Sequence, residues 1–319
     1  MLDRAARAFF HLLAQSTVLK KVASGYGMRP GGFARRFVAG ETVAEALASA
    51  RALEERHFLL TLDLLGESVT TMETADAATR QYVQLLDAVI KAGVERNVSL
   101  KLTQLGLDVD TATAIDNVRK ILERAEPAGF FVRIDMESSA HTEPTLEIVE
   151  TLWHHGYHQI GAVLQAALLR SERDLERLNA LGIRVRLVKG AYREPKGVAW
   201  QNKADVDAAF ARMLKTLLTA GHYPAIATHD PAMIRLARDL AQEHQIPTTR
   251  FEFQMLYGVR RDLQTALVAA GYRVRVYVPF GRDWFPYFMR RLGERPANVG
   301  FVLRAILSDR ATPGAARTI

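Results

Sequence analysis

From Phe58 onward the chain alternates short runs rich in Leu, Val, Ile and Phe with longer stretches whose apolar residues recur at intervals of three and four. The short runs predict strands over Phe58–Leu64, Ser99–Thr103, Phe130–Asp135, Gly161–Leu164, Arg184–Val188, Ala225–Ala227, Phe251–Phe253 and Val274–Val278. Between them, Ala75–Lys91, Thr111–Glu123, Ser171–Leu181, Ala204–Ala220, Pro231–His244 and Asp262–Ala270 read as helices. Thr111, Ser171 and Asp230 are the expected N-caps, the last with Pro231 at the first helical position. Gly93, Gly129, Gly182 and Gly271 sit just ahead of the next strand, where a helix must stop. Strand followed by helix, repeated around a closed sheet, is the pattern of an α/β barrel of the (βα)8 TIM type. An open doubly wound sheet would carry a glycine-rich turn after its first strand. The nearest such string, Gly25-Tyr26-Gly27 with Gly31, precedes every strand and has the wrong spacing.

Composition narrows the function classes. The 319 residues are 49% hydrophobic and 24% charged, a balance that excludes disorder, collagen and coiled coil. The net charge of +7 is modest and its basic residues are interspersed with acids, so nucleic-acid binding is not implied; anionic small molecules or lipid headgroups fit better. With no cysteine there is no disulfide framework, thiolate zinc site, iron–sulfur cluster or thiol nucleophile, which fits a cytoplasmic chain. The first residues, Met1 to Leu13, are broken by charge and by His11 and do not form a secretory signal; nowhere do about 18 uncharged apolar residues occur together. An amphipathic first helix is better read as packing on its own protein than as lying on a bilayer.

In such a barrel the C-terminal ends of the strands face the active-site mouth. Those ends read Gly66-Glu67, Lys101 with Gln104, Asp135-Met136-Glu137, Gln165, Lys189-Gly190-Ala191-Tyr192, Thr228-His229-Asp230, Gln254 and Tyr277. Any one is most simply a solvated loop residue; together they predict a large polar pocket over an apolar barrel. Lys101 and Asp135 lie on neighbouring strands, where a structural ion pair and a catalytic pair are equally good readings. Arg184 and Arg186 share a strand face and, with Lys189, predict a basic strand end that suits an anionic cofactor. After the last strand, Pro279 and Gly281 lead into an aromatic-rich helix ending in Arg290-Arg291. Adjacent arginine forks can seat both oxygens of a carboxylate, against the blander reading of two surface arginines. His154, His155 and His158 lack a further ligand for a zinc motif, and no metal site is expected. Ser138, Ser139 and His141 lack a nucleophile elbow, which argues against a hydrolase triad.

At these strings the sequence resembles the proline dehydrogenases, the flavoenzymes that begin proline catabolism. The resemblance rests on Ser99-Leu100-Lys101-Leu102-Thr103-Gln104-Leu105-Gly106, Arg133-Ile134-Asp135-Met136-Glu137, Arg186-Leu187-Val188-Lys189-Gly190-Ala191-Tyr192, Ala227-Thr228-His229-Asp230, Phe253-Gln254-Met255-Leu256-Tyr257-Gly258 and the Arg290-Arg291 helix. These follow one another in family order from about Leu59 to Leu303. The length is similar to the monofunctional bacterial form.

The resemblance implies a distorted barrel with extra N-terminal helices: an arm over 1–57, a catalytic barrel over 58–310 and a tail over 311–319. It implies non-covalent FAD at the strand C-termini, bordered by Met136, Gln165, Arg186, Lys189, Gly190, Ala191, Thr228 and His229, with Glu294 beside it. Asp135 and Arg186 are then the catalytic pair. Lys101, Tyr277, Arg290 and Arg291 bind the substrate, and Glu67 is a gate that pairs with Arg290. Arg193 departs from the aromatic residue that some relatives carry near the adenine.

The implied reaction takes a hydride from C5 of L-proline to give Δ1-pyrroline-5-carboxylate, with a quinone as final acceptor. Positive charge on Lys101, Arg290 and Arg291 would favour the neutral amine that the reaction needs. Functional coupling to a pyrroline-5-carboxylate dehydrogenase and a peripheral seat at the inner face of the cytoplasmic membrane follow from the same reading. Two other classes stay open on the residues alone. One is a cofactor-free Schiff-base lyase or aldolase on Lys101 or Lys189, and the other a carboxylate-binding barrel without turnover.

Overall fold

The computed structural model describes Met28, residues 32–192 and residues 194–294; for Phe33 and residues 290–294 it describes backbone alone. Arg193, the first 27 residues and the tail lie outside the described residues, as do the side chains of Arg290, Arg291 and Glu294.

The strands are β1 Leu59–Leu64, β2 Asn97–Leu100, β3 Phe131–Ile134, β4 Ile160–Gln165, β5 Arg184–Val188, β6 Ala225–Ala227, β7 Glu252–Leu256 and β8 Val274–Phe280. All neighbours are parallel, and β8 returns to pair with β1 over Leu59↔Arg275 to Leu64↔Phe280, closing the barrel. The helices are α1 Val43–Glu54, α2 Met72–Ala92, α3 Thr111–Ala125, α4 Ser139–His154, α5 Ser171–Leu181, α6 Lys203–Ala220, α7 Pro231–Glu243, α8 Arg261–Ala269 and α9 Trp284–Glu294.

Local chemistry sets the boundaries. Thr42 and Glu45 form a reciprocal capping box at the start of α1, and Thr71 caps α2. Asp230 caps α7 by accepting from the Ala232 amide, as the sequence predicts. The expected cap at Thr111 moves to Asp110, whose carboxylate accepts from the Thr113 amide; a carboxylate at that position also complements the helix dipole. Ser171 is likewise no cap: it is the first helical residue, and its hydroxyl donates to the Gln165 carbonyl at 2.6 Å. Helix α4 forms although Pro144 interrupts its sequence pattern, and the periodicity did not predict it.

Alternation along the strands divides the side chains into two environments. Leu60, Leu62, Val98, Leu100, Val132 and Ile134 are fully buried and belong to the apolar core outside the barrel, where the helices pack. The opposite face carries Thr61, Asp63, Ser99, Lys101, Arg133, Arg186, Glu252, Gln254 and Arg275, all buried. The expected apolar barrel is therefore wrong. The interior is largely polar, with Gly161, Val163, Ala225 and Ala227 on the same face, and its charges are tolerated because Lys101, Arg186 and Arg275 meet Asp63, Asp135 and Glu252 while Arg133 donates to the Ala162 and Arg184 carbonyls.

The segment ahead of α1 closes onto the barrel rather than leaving it. Ala39 N donates to Pro279 O, and Gly281 N donates to Gly40 O, both at 2.9 Å. Gly258 (φ 72) lies so near the short 3-10 turn Phe33–Arg36 that a Cβ there would stand 1.6 Å from the Arg36 carbonyl oxygen. A second apolar cluster, with Ala34, Phe37, Val38, Trp284, Phe285 and Phe288, seals this junction.

Candidate active site

The mouth is built from strand ends and the connections that follow them. Lys101 follows β2, and its Nζ donates to Asp63 Oδ1 of β1 at 2.9 Å; Asp135 Oδ2 is farther, at 3.9 Å. The pairing expected between Lys101 and Asp135 is thus the weaker of two. Asp63, which the sequence reading did not single out, is the principal partner. Its signal was present as the alternation Leu60-Thr61-Leu62-Asp63-Leu64, which puts Thr61 and Asp63 on one face, but a lone acid in a leucine-rich strand gives no motif. Burial works against the Lys101 charge, yet Asp63 and Asp135 outweigh it and push the ammonium well above the ordinary lysine range.

Asp135 is the hub of the cluster. Its backbone N–H donates to Leu100 O at 2.8 Å, which fixes it beside β2. Oδ1 accepts from Arg186 Nη1 and Oδ2 from the Tyr277 hydroxyl, each at 2.7 Å. The Arg186 guanidinium also donates to Ser99 Oγ at 3.0 Å and to Gln254 Oε1, and it lies 5.3 Å from the Tyr277 ring centroid. Burial, with Asp135 and Asp63 alongside, pushes the Tyr277 phenol well above its usual range, so it stays a donor. Asp63, Lys101, Asp135, Arg186 and Tyr277 come from five different strands or strand ends and form one hydrogen-bonded floor. One polar atom in it, Asp63 Oδ2, is buried without a hydrogen-bond partner. Two carboxylates face two cations, so the floor is close to neutral.

The other expected residues frame this floor. Glu137 holds the rim by accepting from the Thr103 amide at 3.1 Å and from its hydroxyl at 2.5 Å, and Gln165 Nε2 donates to the Glu137 carbonyl at 2.9 Å. Met136 is buried. Gly190 has φ 118, and a Cβ on it would stand 3.1 Å from Ala167 Cβ and 3.4 Å from Gln165 Oε1. Only glycine suits that backbone, and it lets the turn before Ala191 pack directly against Ala167 and Gln165. Thr228 is buried and its hydroxyl accepts from the Asp230 amide at 3.1 Å. His229 Nε2 accepts from the Leu256 amide at 2.9 Å, which ties β6 to β7. Glu67 is half-buried on the connection after β1, near enough for its charge to act on Lys101.

Two expectations separate. Arg184 does not join a basic strand end: two residues below Arg186, it lies at the N-terminal pole over the rings of Phe131 and Tyr223. Lys189 does reach the mouth, but held between Asp207 and Asp230, the latter at 2.6 Å. Ser138, His141 and Asp108 form a hydrogen-bonded chain, Oγ to Nδ1 at 2.9 Å and Nε2 to Oδ1 at 2.7 Å. The imidazole nitrogens are used in the order opposite to that of a serine hydrolase, and the neighbouring Ser139 amide is occupied by Glu194, so no oxyanion donor stands there. Among the described residues no helix is long and apolar enough to cross a membrane.

This constellation presents paired charges and fixed hydrogen-bonding groups above a charge-balanced floor. Comparison with known proteins agrees in extent and kind. The family model described as "Proline dehydrogenase" matches residues 46–304. The chain is 42% identical over 301 residues to "Proline dehydrogenase 1" of Bacillus subtilis (strain 168), covering 94% of this chain and 99% of the relative. It is 42% identical over 278 residues to "Proline dehydrogenase" of Deinococcus radiodurans, covering 86% and 90%. Among solved structures, proline utilization A from Bdellovibrio bacteriovorus, inactivated by N-propargylglycine, superposes with a TM-score of 0.78 at 28% identity, over 87% of this chain and 34% of that one. An eight-stranded barrel with a charged floor, matched along nearly its whole length by such relatives, places this chain in the proline dehydrogenase family.

Proposed function

We propose that the protein oxidises L-proline to Δ1-pyrroline-5-carboxylate as the first step of proline degradation, with FAD as its cofactor and a quinone as final acceptor. The observation that carries this reading is the Asp63–Lys101–Asp135–Arg186–Tyr277 floor, set in a family whose members are proline dehydrogenases. The residues at the mouth fit a flavin. Gly190 seats its turn tightly against Gln165 and Ala167, the buried Arg186 offers a cation, and Met136, Gln165, Lys189, Ala191, Thr228 and His229 would hold the flavin. FAD, when bound, supplies the two-electron acceptor for the hydride leaving proline C5.

The protein's own part is positioning and charge. Arg290 and Arg291 would hold the carboxylate as bidentate forks, and Glu67 would pair with Arg290 to shut the mouth against water. Tyr277, fixed through Asp135, would pack on the ring and fill the space beside it. The loss of the ammonium proton on binding needs a net positive surround. Lys101 adds less to that than its charge suggests, because Asp63 and Asp135 compensate it. The arginine doublet would supply the larger share. Arg186, buried and held by Asp135, would favour negative charge developing beside it.

The Schiff-base alternative loses support on chemical grounds. An amine must be neutral to attack a carbonyl. Lys101 is held as a cation, and Lys189 is paired with two carboxylates.

The product would pass to a pyrroline-5-carboxylate dehydrogenase. The reading also places the protein in the cytoplasm, with peripheral contact at the inner face of the membrane that carries the quinone. The deciding experiment is anaerobic titration of the purified protein with proline, followed by visible spectroscopy. Flavin absorbance should bleach stoichiometrically. Colourless protein that cannot be reconstituted with FAD, or yellow protein that proline leaves unbleached, would sink the reading.

A further inference from the structure

The barrel has a second charged end. At the N-terminal pole, away from the mouth, an open cleft of about 930 Å3 is lined by Arg96, Arg184 and Arg273 together with Phe131 and Tyr223. These arginines stand at or one residue before the starts of β2, β5 and β8, so the closed barrel alone brings them together. Arg184 Cζ lies 5.1 Å from the Phe131 centroid and 5.4 Å from that of Tyr223, and Arg273 Cζ lies 5.8 Å from the same Tyr223 ring. A guanidinium seated on a ring face is orientationally fixed while its N–H edge stays available.

The lining keeps a positive excess, with Arg96, Arg184, Arg273 and Arg275 against Glu54 and Glu95. Among the described residues, no carboxylate oxygen comes within ion-pairing distance of Arg96, Arg184 or Arg273. The acids of the cleft are already engaged. Glu95 accepts from Arg275 at 2.5 Å and from the Leu60 amide at 2.6 Å, and Glu54 accepts from the Glu95 amide at 2.7 Å. Arg275, in turn, is shared with Glu252 at 2.7 Å, so one buried guanidinium serves two carboxylates at the floor of the cleft.

Helix C-termini point toward this pole in a barrel and attract cations. That explains Arg96, which donates to the Ala128 carbonyl at 2.5 Å. It does not explain Arg184, whose side chain lies over the two rings, or Arg273, which donates to the Tyr223 hydroxyl at 3.1 Å, a hydroxyl that in turn donates to Glu252 at 3.2 Å. Like charges lining one concavity repel until an anion enters.

We propose that this pole binds a small oxyanion carrying two or more negative charges, of phosphate or dicarboxylate type, held chiefly by Arg184 and Arg273 with Arg96 at the edge. The site is distinct from the mouth: Arg184 and Lys189 are five residues apart on and beyond one strand, roughly 16 Å along its axis.

The test uses the flavin-loaded protein and its Arg184→Gln/Arg273→Gln variant. Thermal denaturation is followed at matched ionic strength with millimolar inorganic phosphate or, separately, glutarate. Wild type should gain about 2 °C or more with at least one of them, and the variant should gain nothing. A response to phosphate alone or to glutarate alone supports the site and identifies its class. The KM for proline should stay within about twofold in the variant, because the catalytic mouth is untouched. Equal shifts in both proteins, or no shift with either anion, would overturn the proposal. Should the glutamine variant fold poorly, Arg184→Lys/Arg273→Lys keeps the charge and removes the forks. Its anion response should then fall severalfold, and an undiminished response would also overturn the proposal.

Discussion

Lys101 Nζ donates to Asp63 Oδ1 at 2.9 Å with both side chains almost wholly shielded from water, and this contact, more than the nominal charge of either group, sets the electrostatics of the mouth. An ammonium so placed is a fixed structural cation rather than a base or a nucleophile. The pair is sustained by reciprocal need, since either charge buried alone would be strongly unfavourable.

Asp63→Ala should therefore destabilise the protein by about 3 kcal/mol or more, because it leaves Lys101 with no carboxylate closer than Asp135, at 3.9 Å. Combining it with Lys101→Met should recover part of that loss. Urea unfolding of the two single variants and the double variant checks this, and strictly additive losses would show that the two side chains are not coupled.

Tyr277 donates to Asp135 at 2.7 Å, and Asp135 uses its other oxygen to hold Arg186. Tyr277→Phe removes the hydrogen bond to Asp135 and the longer one from Lys101, at 3.5 Å, and keeps the ring. We expect kcat/KM for proline to fall about tenfold or more with little change in Tm. Steady-state kinetics indistinguishable from wild type would mean that the hydroxyl has no part in positioning Asp135.

Gly258 abuts the Arg36 carbonyl with φ 72. Gly258→Ala must both strain the backbone and push the 3-10 segment off the barrel, at a cost of about 2 kcal/mol or more. The expected signature is a lower Tm with faster proteolysis between Gly32 and Glu41. A Tm equal to wild type would show that the segment adjusts freely.

Glu45 carries the pH prediction. Burial disfavours its ionised form, but hydrogen bonds from Arg35, the Glu41 amide and Thr42 outweigh this and hold the carboxyl at about 2, down from 4.5. Because the folded value is depressed, the stabilisation is fully present above pH 4.5 and is lost as pH falls toward 2. Both partners are about one-third exposed (29% and 32%), so solvent screening limits the effect to roughly 1 kcal/mol. The stability gap between wild type and Glu45→Gln should thus be open at pH 6 and nearly closed at the acid end. A gap that widened on acidification would contradict this origin.

The sequence pattern located two strands to the residue, Arg184–Val188 and Ala225–Ala227, and helix Ser171–Leu181 with them. Periodicity suffices there because each run is bounded by a sharp change of period. It failed at Ser99–Thr103, where the chain leaves β2 after Leu100 and tightens into a 3-10 turn over Leu102–Leu105 while remaining wholly buried, so that polarity marks no end. In the mouth, the residues in motifs were legible: Lys101, Asp135, Arg186 and Tyr277 all meet. Asp63 was not, because its meaning depends on a neighbour 38 positions away.

By itself, the sequence determined the repeating strand–helix order, the parallel closed architecture and the set of polar groups at the strand ends, since each depends on periods and caps within some twenty residues. Only the tertiary structure decided who pairs with whom. It gave Lys101 to Asp63, turned the barrel interior from apolar to charged, and sent Arg184 and Arg186, two residues apart on one face, to different layers of the barrel. Closure fixes the register of eight strands at once, and register governs which charges come within a few ångströms of each other. No local pattern along the chain encodes that distance.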